Sequence, residues 1–475
     1  MIAFIKEEDL NSLAFITEDY QLSYEKYREL ILSLSKTLVE LGIGKGKKVA
    51  ILAENSPEYV LAIVSILNVG AICVPVNIRW PDSQIENALK KVGCDLLIID
   101  RKRETALSAR YRSVYMDQLI QMPMKNRHFG FKEIEPELER DATVIFTSGS
   151  LGEPKPVLHS LGNHYYSAVG SNSNILLSAG DVWGIFLPLY HVGGLSIIFR
   201  ALISGAAVAI PSKKGSISKA IKELNITHIS LVPTQLYRML KDKEAIKALR
   251  STKAILLGGA PARESLIRRA KEEFDLPIYT TYGSTEMASQ VTTTKPNDTL
   301  QHLLTSGRLL PYRQLSIDKE GEILVKGKTL FKGYIDKEKL VLPLTKDGWF
   351  KTGDLGSLDK EGYLTVYGRK DNMFISGGEN IQPEEIEQKL TQIDGITDAV
   401  VVPVEDEQWG HRPVAFVYKE KDVTESKIKN ELEKVLPKYK IPDRIFSLPK
   451  NIYEKGLKLS REYFKGMAKR IMERA

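Results

Sequence analysis

A large doubly wound α/β unit followed by a small α+β unit is the fold this 475-residue sequence predicts. Three observations predict it. Short apolar runs alternate with amphipathic runs through the first two thirds, the pattern of parallel strands joined by helices. After about residue 320 the stretches EGEILVKG and GYLTVYG alternate apolar and polar residues between turn residues, as short antiparallel strands do. Beyond Arg369 comes a stretch of about 105 residues, a Gly-rich loop followed by helices and strands of its own, enough for a separate small domain. The expected division is 1–370, holding doubly wound sheets, helices and a small β-barrel-like part, and 371–475, a mobile α+β domain.

The elements follow in order. From residue 49, VAILAENSPEYVLAIVSILNVGAICVPVN reads as strand, helix, strand, with Asn55 or Ser56 as the N-cap and Pro57 at the helix start. The region 217–285 repeats the theme. A helix carries Ile217, Ile221 and Leu224, and ITHISLV is a strand. Thr234 is expected to cap TQLYRMLK, AILL (254–257) is a strand ending in GGAP, and a helix leads to the strand LPIYTTYG. In the last segment a helix is expected from Pro383, strands at AVVVPV and PVAFVY, and a helix from about Glu425.

Composition narrows the class. Hydrophobic residues make up 43% and charged residues 27%, ordinary values for a soluble globular chain. Lys+Arg 67 against Asp+Glu 60 leaves +7, spread along the chain, and no RNP-like or zinc-finger pattern accompanies it, so no nucleic-acid partner is expected. Two cysteines, Cys73 and Cys94, cannot build a disulfide framework and fit a reducing cytoplasm. The start MIAFIKEEDL has too short an apolar stretch for a secretory signal. The run 192–210, VGGLSIIFRALISGAAVAI, approaches membrane-spanning length, but Arg200 at its middle is costly in lipid, so a buried helix–strand pair is expected.

The chemistry sits in loops after strands, where open α/β sheets place it. A strand at 143–146 runs into Thr147-Ser148-Gly149-Ser150-Leu151-Gly152 and then Lys155. Small residues let backbone N–H groups converge on an anion, hydroxyls add donors and the lysine adds charge, a phosphate cradle without Walker A spacing. GGAP (258–261) exposes backbone at a strand end for a flat ring. Thr281-Tyr282-Gly283-Ser284-Thr285-Glu286 offers an aromatic face, hydroxyls and one carboxylate, and a lone carboxylate beside phosphates suits Mg²⁺. WFKTGDLG (349–356) and Gly368-Arg369-Lys370-Asp371 bring an Asp and an Arg near the domain boundary, suited to ribose hydroxyls. Taken singly, each of these loops also reads as an ordinary turn.

TSGSLGEPK, LPLYHVGGLS, GGAP, TYGSTE, WFKTGDLG and GRKDNMFISGGENIQPEEIE occur in this order. Together they resemble the adenylate-forming superfamily of acyl-CoA synthetases, luciferases and peptide-synthetase adenylation domains, over about residues 20–470. The resemblance implies two steps: an acid attacks the α-phosphate of ATP, giving acyl-AMP and pyrophosphate, and coenzyme A then displaces AMP. It implies ATP, Mg²⁺ and coenzyme A as cofactors and a small-molecule acid as substrate. It places Thr147 and Ser148 to Lys155 on the phosphates, Glu286 on Mg²⁺, and Gly259, Ala260, Tyr282 and Thr285 around the nucleotide. Asp354 and Arg369 fall on the ribose, Asp371 at a hinge, and Gly378 beside the pantetheine arm. His191 falls between the acid's carboxylate and the phosphates. Catalysis in this family is positioning and charge stabilisation.

Two departures stand out in the phosphate loop: Leu151 where a Thr is common, and Pro156 after the lysine. The C-terminal lysine motif is disturbed, LPKNIYEKGLKLSREYF. Counting from Pro449 gives Lys455; counting back from Arg461 and Phe464 gives Lys458, the choice that keeps the helix register. The stretches PLYHVGGLSIIFR, THISLVPTQLYRML and TYGSTEMASQ are most similar to the 2-succinylbenzoate–CoA ligase family of menaquinone biosynthesis. That resemblance implies a second carboxylate on the acid, for which Arg200 is the expected partner, with Gly193, Ser289 and Gln290 beside it. The alternative for Arg200 is a protein carboxylate or solvent. An aryl- or medium-chain acyl-CoA synthetase, and a non-catalytic nucleotide-binding sensor, are the other readings; Lys155, Glu286, Asp354 and Arg369 speak against the sensor. No carrier segment follows residue 475, so a peptide-synthetase module is not expected. A cytoplasmic location is expected, and a homo-oligomer is left open.

Overall fold

The computed structural model describes residues 1–103, 106–121, 136–147, 154–212, 215–336, 339–419, 421–448 and 461–472. Two large sheets dominate the N-terminal part. One contains the parallel strands Lys48–Leu52, Ile72–Pro75, Leu96–Ile99 and Asp141–Thr147, extended by the antiparallel strands Lys155–Ser160 and Gly333–Asp336. The other contains Val182–Gly184, Ala207–Ala209, His228–Leu231, Ala254–Leu257 and Ile278–Ser284 in parallel, then Ser289–Thr293 turning back antiparallel.

Helices fill the space between the sheets. Pro57–Asn68 and Val192–Ser204 are apolar on nearly every face, which only a helix covered on all sides can be. Their side chains share one core with Val49, Ile51 and Ile98 of one sheet and Phe15, Trp183 and Val208 of the other. The apolar run 192–210 is therefore a buried helix and strand, as expected. Among the described residues no helix is long and apolar enough to cross a membrane.

Local details refine the sequence reading. Ser56 caps the helix, its hydroxyl accepting the Tyr59 N–H at 3.1 Å, while Asn55 bridges the Leu187 carbonyl and the Leu189 N–H. Thr234 is not a cap: the helix runs Pro233–Met239, and Gln235 reaches back to the Val232 N–H at 3.0 Å. The proline supplies the fixed φ that starts the helix one residue earlier.

The barrel-like part is a four-stranded antiparallel sheet built on Arg313–Ile317, Glu322–Gly327, Phe350–Leu358 and Leu364–Arg369. The C-terminal part has the strands Ile396–Asp406, Gly410–Lys419 and Arg444–Ser447, covered by the helices Pro383–Leu390, Glu425–Glu433 and Arg461–Met472. Its core is its own, centred on Val401, Ala415, Ile428 and Phe416. It touches the large part through an Arg263–Asp398 ion pair at 2.8 Å and a Gln392–Glu264 hydrogen bond at 3.3 Å.

Candidate active site

A cavity of about 1810 Å³ opens at the carboxyl ends of the strands of the second sheet and is walled on one side by the small domain. Thr147, His191, Gly193 and Arg200 line it from the region before residue 210. Gly259, Ala260, Thr285, Ser289 and Gln290 line it from the strand ends that follow. These nine sequence-predicted residues converge from a strand end of the first sheet, the helix Val192–Ser204, and the strand ends and hairpin of the second sheet.

Arg200 lies at the bottom, 1% exposed. One Nη donates to the Ser289 hydroxyl at 3.0 Å, and the guanidinium stands 5.0 Å from the Trp183 ring. Among the described residues its Nε has no hydrogen-bond partner and no carboxylate pairs with it. Burial pushes the guanidinium down to about 9. The sequence left open a protein carboxylate or solvent for this charge; among the described residues neither is found. Ser289 meets Arg200 because the chain takes a left-handed turn, with φ +52 at Ala288 and φ +122 at Ser289. Non-glycine residues held there typically cost about 1–3 kcal/mol each, so the surroundings must enforce the turn. Gln290 Nε2 donates to Thr293 Oγ1 at 2.7 Å.

A second group is not part of the cavity lining, though one member, Tyr282, stands between the lining residues Thr281 and Gly283. The Tyr282 hydroxyl donates to Asp354 at 2.6 Å, and Arg369 donates to the other Asp354 oxygen at 3.2 Å. Arg369 also reaches the Thr352 carbonyl at 2.8 Å and Asp371 at 3.3 Å. Asp354 and Arg369 are register partners across antiparallel strands, so these charges from distant motifs are held side by side. Burial and the neighbouring Asp354 push the Tyr282 hydroxyl up, which keeps it a donor.

A third group joins Glu286, Tyr334 and Lys155. The Tyr334 hydroxyl donates to Glu286 Oε1 at 2.8 Å, and Lys155 Nζ lies 5.7 Å from the Tyr334 ring centre. Among the described residues no Lys or Arg pairs with Glu286, so this carboxylate is available to a hard cation, which fits Mg²⁺ with oxygen ligands. Tyr334 gives no periodic or spacing signal and was missed by sequence reasoning.

The turn bearing Thr285 is held from below. His159 Nε2 lies 2.7 Å from the Thr285 carbonyl and must donate to it. Thr143 Oγ1 then donates to His159 Nδ1 at 3.3 Å and accepts from His164 Nε2 at 2.7 Å. Burial pushes His159 down to about 4 and holds His164 well below the ordinary imidazole range, so both rings are neutral supports.

Ser148, Gly149, Ser150, Leu151 and Gly152, and both candidate lysines Lys455 and Lys458, lie outside the described residues. Arg461, just after them in the chain, pairs with Glu387 at 2.6 and 2.9 Å on the small domain's side of the cavity. Gly378 does not join the cavity. It sits in the turn between Phe374–Ser376 and Glu379–Ile381, with φ +86, and a Cβ built there meets nothing within 4 Å.

This cradle has counterparts of known kind. Residues 5–335 match the AMP-binding enzyme model, and residues 385–455 match the AMP-binding enzyme C-terminal domain. The chain belongs to the AMP-binding enzymes. A 2-succinylbenzoate–CoA ligase of Bacillus cereus is 34% identical to this AMP-binding enzyme over 455 residues, 93% of each chain. The Bacillus subtilis o-succinylbenzoate CoA synthetase, solved with the acyl-adenylate intermediate OSB-AMP, superposes with a TM-score of 0.84 at 32% identity, covering 95% of this chain and 96% of that one. The same Bacillus subtilis enzyme in complex with ATP and magnesium ion superposes at 0.82 and 32% identity, covering 92% and 93%.

Proposed function

We propose that the chain ligates 2-succinylbenzoate to coenzyme A through an acyl-AMP intermediate, in menaquinone biosynthesis. The observation that carries this reading is Arg200: a buried cation, without a carboxylate partner among the described residues, at the bottom of the cavity. An acid with one carboxylate at the phosphates and a second at this depth supplies the missing partner. A long apolar acid would leave the charge unpaired, which burial penalises heavily.

In the first step an oxygen of the succinyl carboxylate attacks the α-phosphorus of ATP, and pyrophosphate leaves. Asp354 and Arg369 hold the ribose, Gly259, Ala260 and Tyr282 frame the adenine, and Thr285 joins Thr147, residues 148–152 and Lys155 around the phosphates. His191 stands between the acid and the phosphates. Glu286 would hold Mg²⁺, which would supply positive charge beside the phosphate oxygens. Lys458 of the small domain supplies a cation for the same step. In the second step the coenzyme A sulfur attacks the acyl carbon and AMP leaves. For this the small domain, residues 371–475, turns about Asp371, bringing Gly378 beside the pantetheine arm. Gly193, Ser289 and Gln290 line the acid's end. The substrates are soluble, and the reaction belongs in the cytoplasm.

Acid-dependent ATP–pyrophosphate exchange across 2-succinylbenzoate, benzoate and fatty acids tests this reading. Exchange supported strongly by 2-succinylbenzoate alone is expected. Preference for a monocarboxylic acid would replace it with an aryl- or medium-chain synthetase.

A further inference from the structure

A second buried arginine lies close behind the first. Arg313, at the start of the strand Arg313–Ile317, is 5% exposed and, among the described residues, meets no carboxylate. Its guanidinium is spread over main-chain acceptors and one hydroxyl. Nε donates to the Gln290 carbonyl at 2.6 Å, Nη1 to the Pro311 carbonyl at 2.7 Å, and Nη2 to the Ser167 carbonyl and hydroxyl at 3.2 and 3.1 Å. The Ser167 hydroxyl passes the contact on, donating to the Ala288 carbonyl at 2.8 Å. Gly170, one turn further along the same helix, makes the approach possible: a Cβ there would collide with Arg313 Nη1.

Two of these bonds, from Arg313 Nε and from the Ser167 hydroxyl, end on residues 290 and 288, either side of Ser289. The left-handed turn at Ala288 and Ser289 is thus gripped at both ends, from the helix Leu161–Asn172 through Ser167 and from the antiparallel sheet through Arg313. The turn directs the Ser289 hydroxyl at Arg200, within 3.0 Å.

We infer that Arg313 and Ser167 are positioning residues for acid specificity: they hold the strained 288–290 turn so that Ser289 fixes the Arg200 guanidinium toward the acid's second carboxylate. A guanidinium suits this task because its five donors sit in a rigid planar fork that holds acceptors on three sides in fixed directions, whereas a lysine has three donors on a flexible stem. The inference rests on the proposed role of Arg200.

The test is steady-state kinetics of pyrophosphate release with varied 2-succinylbenzoate and varied ATP, on Ser167→Ala, Arg313→Lys, Arg200→Leu and the double variant Ser167→Ala/Arg200→Leu. Ser167→Ala removes one hydroxyl and leaves the buried cation in place, so it tests the clamp even if an Arg313 variant fails to fold. We expect it to raise KM for the acid about three- to tenfold, with KM for ATP unchanged within about twofold. Arg313→Lys should show the same split. In the Arg200→Leu background Ser167→Ala should add nothing, because the two act on one contact. An unchanged acid KM in Ser167→Ala, additive effects in the double variant, or equal loss of acid and ATP affinity would overturn the clamp. An unchanged acid KM in Arg200→Leu would sink the Arg200 reading and the clamp together. A raised KM there with a normal Ser167→Ala would sink the clamp alone.

Discussion

Replacing Arg200 by leucine perturbs the site at its most unusual feature and has two expected consequences of opposite sign. Burial displaces the guanidinium from its ordinary range to about 9, which corresponds to an energetic cost of about 5 kcal/mol for keeping it charged in the ligand-free enzyme. The folded-state value lies below the unfolded one, so this cost is fully present at neutral pH and is relieved only as pH rises through about 9. Leucine removes the cost, together with one hydrogen bond to Ser289 and the contact with the Trp183 ring. The thermal midpoint of the ligand-free variant should therefore equal or exceed that of the parent. The acid loses a charged hydrogen bond, about 1.5–3 kcal/mol, so KM for 2-succinylbenzoate should rise about ten- to a hundredfold. KM for ATP should stay within about twofold. Pyrophosphate release with each substrate varied in turn reads the kinetic half, and a thermal shift experiment reads the other. A variant with normal KM for the acid would refute the assignment. One with a sharply lowered midpoint would show that Arg200 stabilises the fold rather than waiting for a ligand.

Tyr334→Phe removes the donor to Glu286, and the Mg²⁺ concentration for half-maximal pyrophosphate exchange should rise about fivefold with acid KM unchanged; equal Mg²⁺ curves would discard the contact. Lys458→Ala should slow acyl-AMP formation about 10²–10³-fold and leave thioester formation from supplied acyl-AMP nearly intact; the same defect in Lys455→Ala instead would correct the register. Gly378→Leu should do the reverse, sparing adenylation and blocking the coenzyme A step, and equal loss in both half-reactions would reject that division. His159 and His164 are neutral when folded and have depressed values, so folding should lose stability as pH falls from about 6.5 toward 4. Chemical denaturation across that range should show a flatter profile for the double variant His159→Asn/His164→Asn.

The sequence by itself determined the layered architecture, the separate small domain and some of the groups that line the cavity, among them His191, Arg200, Gly259 and Thr285. Those depend on short-range signals: strand–helix alternation, Ser56 before Pro57, Gly- and hydroxyl-rich loops closing strands. It misassigned the cap at Thr234, because a hydroxyl residue is a strong cap signal and the fixed φ of Pro233 already begins the helix before it. It also read TYGSTE only as a strand end, whereas the chain reverses there into Ser289–Thr293, and that hairpin creates the left-handed turn. Only the tertiary structure decided what each side chain meets. Arg200 and Ser289 are 89 residues apart, Glu286 and Tyr334 are 48 apart, and Ser167 and Arg313 are 146 apart. Such pairs are set by the order of strands in a sheet and by the packing between sheets, neither of which leaves a mark at fixed spacing. A lone arginine in an apolar run announced that a partner was required; that the protein itself offers a hydroxyl and an aromatic face, and no described carboxylate, is a property of the packed interior.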